Sequence, residues 1–349
     1  MSIPEPPADP LSYPWKDSPR EPGRGREIAD GVVGLRLAMP GRLNHINVWL
    51  LRDDDGWVIV DTGINSEEIQ ECWEGIFEEY LDGRPITRVI ATPLHNDHTG
   101  QAGWLTRRWG VELHMSRTEF FMCKVMASDG PQDVPEDAIR FYRRAGFEKQ
   151  RLDGYRRRFG TFGARISQLP AGYHRLSDGE ILSLDGRKWR VVVGRGHSPE
   201  HVCLYCPDLK LLISGDQVLP RITPNVSVNP SEPHANPLRE WLRSCAQLQE
   251  ALPADLLVLP AHEDPFYGLH ERLQGLIDFH EGGLSRLRDL CSEPRRAVDV
   301  FPALFKRQVN DMMFFAATGE SIAHLHYALE EGQLELEEDA EGVAWYRSR

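Results

Sequence analysis

Three short β-rich runs open the patterned part of the chain, at residues 31–37, 45–51 and 57–61, each apolar and bounded by turn residues. Residues 66–80 then place Ile69, Cys72, Trp73 and Phe77 on one face at helical spacing, which predicts an amphipathic helix. A strand at 86–91, a short helix at 101–109 and a strand at 111–115 continue the alternation that an α/β layered domain produces. From residue 118 to about 165 the strand signal stops and the pattern is mostly helical, with breaks at Gly130-Pro131 and Gly146. Strands resume at 180–184, 189–193, 201–205, 210–216 and 256–262, with an amphipathic helix at 237–252 among them. Two β-rich stretches, 31–115 and 180–262, therefore flank a helical insertion. A long helix is expected from 269 to about 290. Helices at 297–309 and 321–331 and a β-hairpin at 334–347 follow, an order that resembles a winged helix.

Composition refines this picture at the ends and on the surface. Residues 1–27 are rich in Pro and charge without apolar periodicity, so they are expected to form an extended arm that a partner subunit could order. With 40 Lys and Arg against 53 Asp and Glu, the formal charge of −13 argues against a general nucleic-acid binder. No run reaches the roughly 20 apolar residues of a membrane span, and the first residues lack the basic and apolar regions of a signal peptide, so a cytoplasmic protein without a membrane partner is expected. Cys203 and Cys206 form a C-x-x-C, but in a strand positions three apart point to opposite faces, so the pair reads as two small buried hydrophobes. The six cysteines show no disulfide framework.

The chemistry collects at strand ends. His95, Asp97 and His98 fall within four residues directly after the 86–91 run. His197, Asp216 and His262 end later strands, and Asp61-Thr-Gly63 ends an early one. Imidazole and carboxylate together suit Zn²⁺, and one carboxylate can bridge two ions. A second feature stands out against the acidic background: residues 140–158 carry eight Arg or Lys and only two acids, Glu148 and Asp153. That stretch is a solvated helix face or a lid whose Tyr142, Arg143, Arg144, Tyr155 and Arg156 meet an anionic substrate.

In their order along the chain, these strand-end residues resemble the metallo-β-lactamase superfamily over residues 31–285. The family pattern H-x-H-x-D-H is matched as Pro93-Leu-His95-Asn-Asp97-His98, so Pro93 stands where the first histidine belongs. Gly196-His197-Ser-Pro, Ser214-Gly-Asp216 and His262 match the later signals. The resemblance implies an αββα sandwich over residues 28–285 with the insertion at about 118–165. The tail, 286–349, resembles the winged-helix-like domain of one subfamily, and its acidic hairpin favours packing or homodimerisation over nucleic-acid binding.

The resemblance also implies a ligand set: one site of Asp97, His98, Asp216 and His262, complete, and a second that keeps only His95 and His197 beside the shared Asp216. One tight Zn²⁺ and a second that is weak or absent are expected, with His45, His114 and His201 as candidate stand-ins for the lost ligand. Asp61 would orient a ligand imidazole, as His201 could, and Asp97 would be the catalytic residue that orients the nucleophile and handles its proton. The implied reaction is hydrolysis of a small-molecule ester, thioester or lactone. A nuclease or phosphodiesterase of the same fold, and a catalytically impaired binding module, are the alternatives.

Overall fold

A computed structural model describes residues 10–16, 21–41, 43–130 and 133–349. In the first half the strands are β1 (Arg26–Ala29), β2 (Val32–Ala38), β3 (His45–Arg52), β4 (Trp57–Val60), β5 (Ile86–Ile90), β6 (Leu113–Met115) and β7 (His174–Arg175). Among them lie helices α1 (Glu67–Tyr80), α2 (Asn96–Thr99) and α3 (Ala102–Trp109), and between β6 and β7 run α4 (Arg117–Ser128), α5 (Glu136–Arg144) and α6 (Lys149–Arg158). The second half contributes β8 (Ile181–Leu184), β9 (Arg187–Gly194), β10 (His201–Cys206), β11 (Leu211–Gly215), α7 (Pro237–Ala251), β12 (Leu257–Pro260) and α8 (Leu269–Leu290). The tail adds α9 (Phe301–Leu304), α10 (Phe314–Glu330) and the hairpin β13 (Leu334–Glu338) and β14 (Ala344–Ser348).

Strands β1 to β7 lie in chain order in one sheet, and the second sheet runs β12-β11-β10-β9-β8. Where both faces are covered, as in β3, β10, β11 and β12, the strands are buried and mostly apolar. Trp49, Val58, Val60 and Ile90 of the first sheet pack on Trp189, Val202, Leu204 and Ile213 of the second. The outer face of the first sheet carries α1 and α3 through Ile69, Trp73 and Leu105, and that of the second carries α7 and α8 through Leu238, Trp241, Leu273 and Leu276. The result is an αββα sandwich. Local chemistry starts its helices: the Ser66 hydroxyl caps α1 by accepting from the Ile69 amide at 3.2 Å, and Asn236 with Pro237 opens α7.

Strands β4 and β5 are parallel, as are β11 and β12, so residues 61, 92, 216 and 262 emerge at matching ends. The two sheets are tied at that edge: the Val202 amide donates to the Thr92 carbonyl at 3.0 Å, and the Asn47 amide to the Ala261 carbonyl. Cys203 belongs to the core outside the second sheet and Cys206 to the core between the sheets, so the C-x-x-C does point to opposite faces, and all six cysteines are free thiols.

Several expectations need correction. The arm is not free of the core over its described residues: Leu11 is buried in the α7–α8 core, Ser12 bridges Tyr267, and β1 begins at Arg26. Residues 1–9 and 17–20 of the expected arm lie outside the described residues. The 297–309 helix is a single 3₁₀ turn at Ala297–Asp299 followed by four helical residues, because Pro302 can only sit near a helix start. The His95–His98 cluster lies on one helical turn, α2, which periodicity over so short a span could not reveal.

Candidate metal centre

His98 is wholly buried. Its Nδ1 donates to Asp61 Oδ2 at 2.9 Å, which turns Nε2 to the opposite side, 3.2 Å from Asp216 Oδ2 and 3.8 Å from Asp97 Oδ2. Asp61 is itself held by the Thr92 amide at 2.8 Å and the Thr92 hydroxyl. Its backbone sits at φ 63°, a left-handed conformation that Asp tolerates better than most residues and that is kept only where surroundings enforce it. His262 repeats the arrangement with different partners. Nδ1 donates to the His45 carbonyl at 2.9 Å, and Nε2 lies 3.3 Å from Asp97 Oδ2 and 3.4 Å from Asp216 Oδ1.

Across Asp216 sits the other pair. His197 Nδ1 donates to the Asn225 carbonyl at 2.8 Å, and Nε2 lies 3.2 Å from Asp216 Oδ2. The His95 ring meets the His197 ring edge-on, with centroids 4.6 Å apart. Two glycines make this approach feasible. Gly215 holds φ 50° where a Cβ would fall 2.5 Å from the His201 ring, and Gly196 holds φ 101° where a Cβ would strike Trp241.

The donor atoms fall into two groups, His95, His197 and Asp216, and Asp97, His98 and His262, with atoms inside each group no more than 4.8 Å apart. His197 Nε2 and Asp216 Oδ1 are buried without a hydrogen-bond partner. Such groups cost about 1–3 kcal/mol each when unsatisfied, and a cation removes that cost. Each of the three imidazoles with a fixed Nδ1–H aims its other nitrogen at the carboxylates, as metal-ligating histidines do when an outer partner fixes the ring. These residues fit a pair of metal ions.

Electrostatics separate the two groups. Burial opposes charge on His98, but Asp61, Asp216 and Asp97 outweigh it and hold the imidazole well above its ordinary pKa. His262 is raised too, burial being overcome by Asp216 and Asp97. Asp216 runs the other way: burial is outweighed by His98 and His262, and its carboxyl stays well below the usual range. His95, by contrast, is pushed down to about 4 by burial and then by His197. The carboxylates thus outweigh burial at His98 and His262, whereas at His95 burial prevails.

None of the three candidate stand-ins enters the cluster as a ligand. His201 Nε2 accepts from the Asp216 amide at 3.0 Å, so it holds the backbone of the shared carboxylate, and burial keeps it neutral. His45 Nε2 accepts from the Glu263 amide at 3.1 Å. His114 stacks on His174 at the sheet edge, centroids 4.4 Å apart. Pro93 is buried.

The suggested substrate lid has other partners. Tyr142 is buried against Phe147, Tyr155 and Phe315, Arg144 Nε donates to Glu338 Oε2 of the tail hairpin at 3.0 Å, Arg143 lies 3.6 Å from Glu136, and Arg156 donates to Asp153. Basic insertion and acidic tail were separate signals in the sequence. In the fold they meet. Among the described residues none of these five side chains bonds to the histidine–aspartate cluster, although Arg156 and Arg157 still flank an open groove with Phe159 and Thr161.

Sequence reasoning missed Asn225, Glu119 and Glu320. The buried Glu119 carboxylate accepts from the amides of Leu94 and Glu200, both at 2.8 Å, and Glu320 Oε2 accepts from Asn225 Nδ2 at 2.9 Å. A lone acid in an otherwise uncharged run, as in residues 314–323, is a signal that could have found Glu320.

The profile of the metallo-beta-lactamase superfamily matches residues 41–262. The chain belongs to the metallo-β-lactamase superfamily. Its tail, residues 284–349, matches the C-terminal domain described as metallo-beta-lactamase-like. A curated relative, the acyl-coenzyme A thioesterase MBLAC2 of Homo sapiens, is 24% identical over 251 residues, which is 69% of this chain and 81% of that one. The probable metallo-hydrolase YflN of Bacillus subtilis is 23% identical over 56% of this chain and 67% of its own. Among solved structures, a beta-lactamase domain protein from Burkholderia ambifaria superposes with a TM-score of 0.90 at 38% identity, covering 97% of this chain and 98% of that one. The metallo-beta-lactamase family protein TTHA1429 from Thermus thermophilus gives 0.77 at 25% identity, covering 93% and 100%. A superfamily hydrolase is the level of function these likenesses support. No described helix is long and apolar enough to cross a membrane.

Proposed function

We propose that this metallo-β-lactamase-fold hydrolase cleaves an ester or thioester carbonyl at a zinc centre of unequal halves, with an acyl-CoA-like thioester as the leading substrate class. The observation that carries the hydrolase reading is the convergence of His98 Nε2, His262 Nε2 and His197 Nε2 on the Asp216 carboxylate, with every outer Nδ1–H already committed. Asp97, His98, His262 and Asp216 would hold the tight ion, and His95 and His197 with Asp216 a weaker one. Zn²⁺ held there would lower the pKa of water from 15.7 to about 7 and polarise the oxygen under attack.

The chain's own residues supply the rest. Asp97 Oδ2, between the Nε2 atoms of His98 and His262, is the group placed to orient the nucleophile and take its proton. Asp61 and the His45 carbonyl fix the tautomers of those imidazoles. The thioester preference draws on the acyl-CoA thioesterase relatives.

The test is metal content per chain together with turnover of an ester, a thioester and a phosphodiester, in wild type and in His98→Ala. Thioester or ester hydrolysis that vanishes with the tight ion in His98→Ala is expected. A wild type that binds no metal and turns over nothing would overturn the enzyme reading, and turnover of the phosphodiester alone would move it to a nuclease.

A further inference from the structure

Glu119 and Glu320 are the two buried glutamates among the described residues. Neither belongs to the sandwich proper: Glu119 comes from α4 of the insertion and Glu320 from α10 of the tail. Burying a carboxylate is expensive unless hydrogen bonds repay it, so each needs a reason to be where it is. Both lead to the same place. One Glu119 oxygen takes the Leu94 amide, next to His95, and the other takes the Glu200 amide, three residues beyond His197. Leu94 also packs on Cys123 of α4 and on Ile166. Glu320 takes the Asn225 side-chain amide, whose own carbonyl oxygen on the backbone receives His197 Nδ1–H. Ser227 Oγ and the Ala316 carbonyl complete the grip on Asn225.

We infer that Glu119 and Glu320 are positioning residues for the His95–His197 half of the metal centre, clamping from outside the sandwich the pair of imidazoles that lacks a third histidine at Pro93. The inference rests on the unequal two-metal centre proposed above. Among the described residues the imidazoles of the better-equipped half are oriented by sandwich groups, His98 by Asp61 and Thr92 and His262 by the His45 carbonyl. With only two imidazoles and a shared carboxylate, the affinity of the weaker half depends on how little those imidazoles must be reorganised. That preorganisation is what the glutamates supply.

The test is stepwise Co²⁺ titration of the metal-free full-length protein, followed by absorption and by thermal unfolding. Wild type should take one ion tightly and a second weakly. Glu119→Gln replaces an acceptor with an NH₂ group facing an amide N–H, and Asn225→Ala releases the loop and strips the buried Glu320 carboxyl of its donor; each should weaken the second ion about 10- to 100-fold with the first unchanged. Glu320→Gln keeps an acceptor for Asn225 and should stay near wild type, whereas Glu320→Ala should not. Equal weakening of both ions, or an unaltered second ion in folded Glu119→Gln and Asn225→Ala, overturns the inference alone. A wild type that takes only one ion overturns it together with the two-part centre, and one that takes none overturns the hydrolase reading as well.

Discussion

The two halves of the cluster are built from the same residue types but supported differently. On one side Asp97, His98 and His262 have Asp216 and Asp61 within reach, and their outer nitrogens end on the sandwich's own strands. On the other, His197 pairs with Asp216, and the loops that carry His95 and His197 are held by the insertion and the tail. The contrast teaches that a ligand set and the residues that support it are separable. Position 93 holds a proline, yet the loops that present His95 and His197 stay held.

The largest effect should come from setting His98→Ala beside His197→Ala. The first removes the tight ion and turnover. The second keeps one ion in a metal analysis and retains measurable turnover. Equal loss in both would erase the distinction between the halves. Next is Asp61→Asn, which tolerates the same left-handed backbone but loses the carboxylate charge beside His98. A drop of about 10- to 100-fold in affinity for the first ion is expected, with little change in the second, read by chelator competition. Pro93→His should tighten the second ion, seen as stoichiometry nearer two at limiting metal. If stoichiometry does not move, the fold presents position 93 away from the centre.

The smallest effect is on stability. Burial pushes Glu320 up to about 7, against its hydrogen bond from Asn225, with His280 (about 3) on α8 and His324 (about 4) on α10 both neutral beside it. A carboxyl raised in the folded state favours folding while protonated. Its contribution is therefore full below the unfolded value of 4.5 and lost as pH rises through about 7. Glu320→Gln should unfold like wild type near pH 4 and be more stable above pH 8, by up to about 3 kcal/mol. Parallel unfolding profiles across that range would show that Glu320 is not carrying a buried charge.

Much of the better-equipped half was legible because its ligands sit at strand ends in short motifs: His95-Asn-Asp97-His98, Ser214-Gly-Asp216 and Pro260-Ala-His262. The sandwich was legible for a related reason, since strands covered on both faces read as apolar runs. Glu119 and Asn225 had no local signature. Glu119 acts on backbone amides 25 and 81 residues away, and Asn225 acts through its carbonyl oxygen, so neither residue type nor spacing points to its role. The insertion's cations were visible, but their pairing with the tail, Arg144 with Glu338 and Arg151 with Asp311, depends on packing between segments more than 150 residues apart.

The central claim, that one centre has two unequal halves, is tested most directly by anomalous scattering from zinc in crystals of the wild-type protein prepared at limiting and at excess metal. At limiting zinc a single peak should lie among Asp97, His98, His262 and Asp216, with a second, between His95 and His197, appearing only in excess. A first peak between His95 and His197, or two peaks of equal height at limiting zinc, would contradict it.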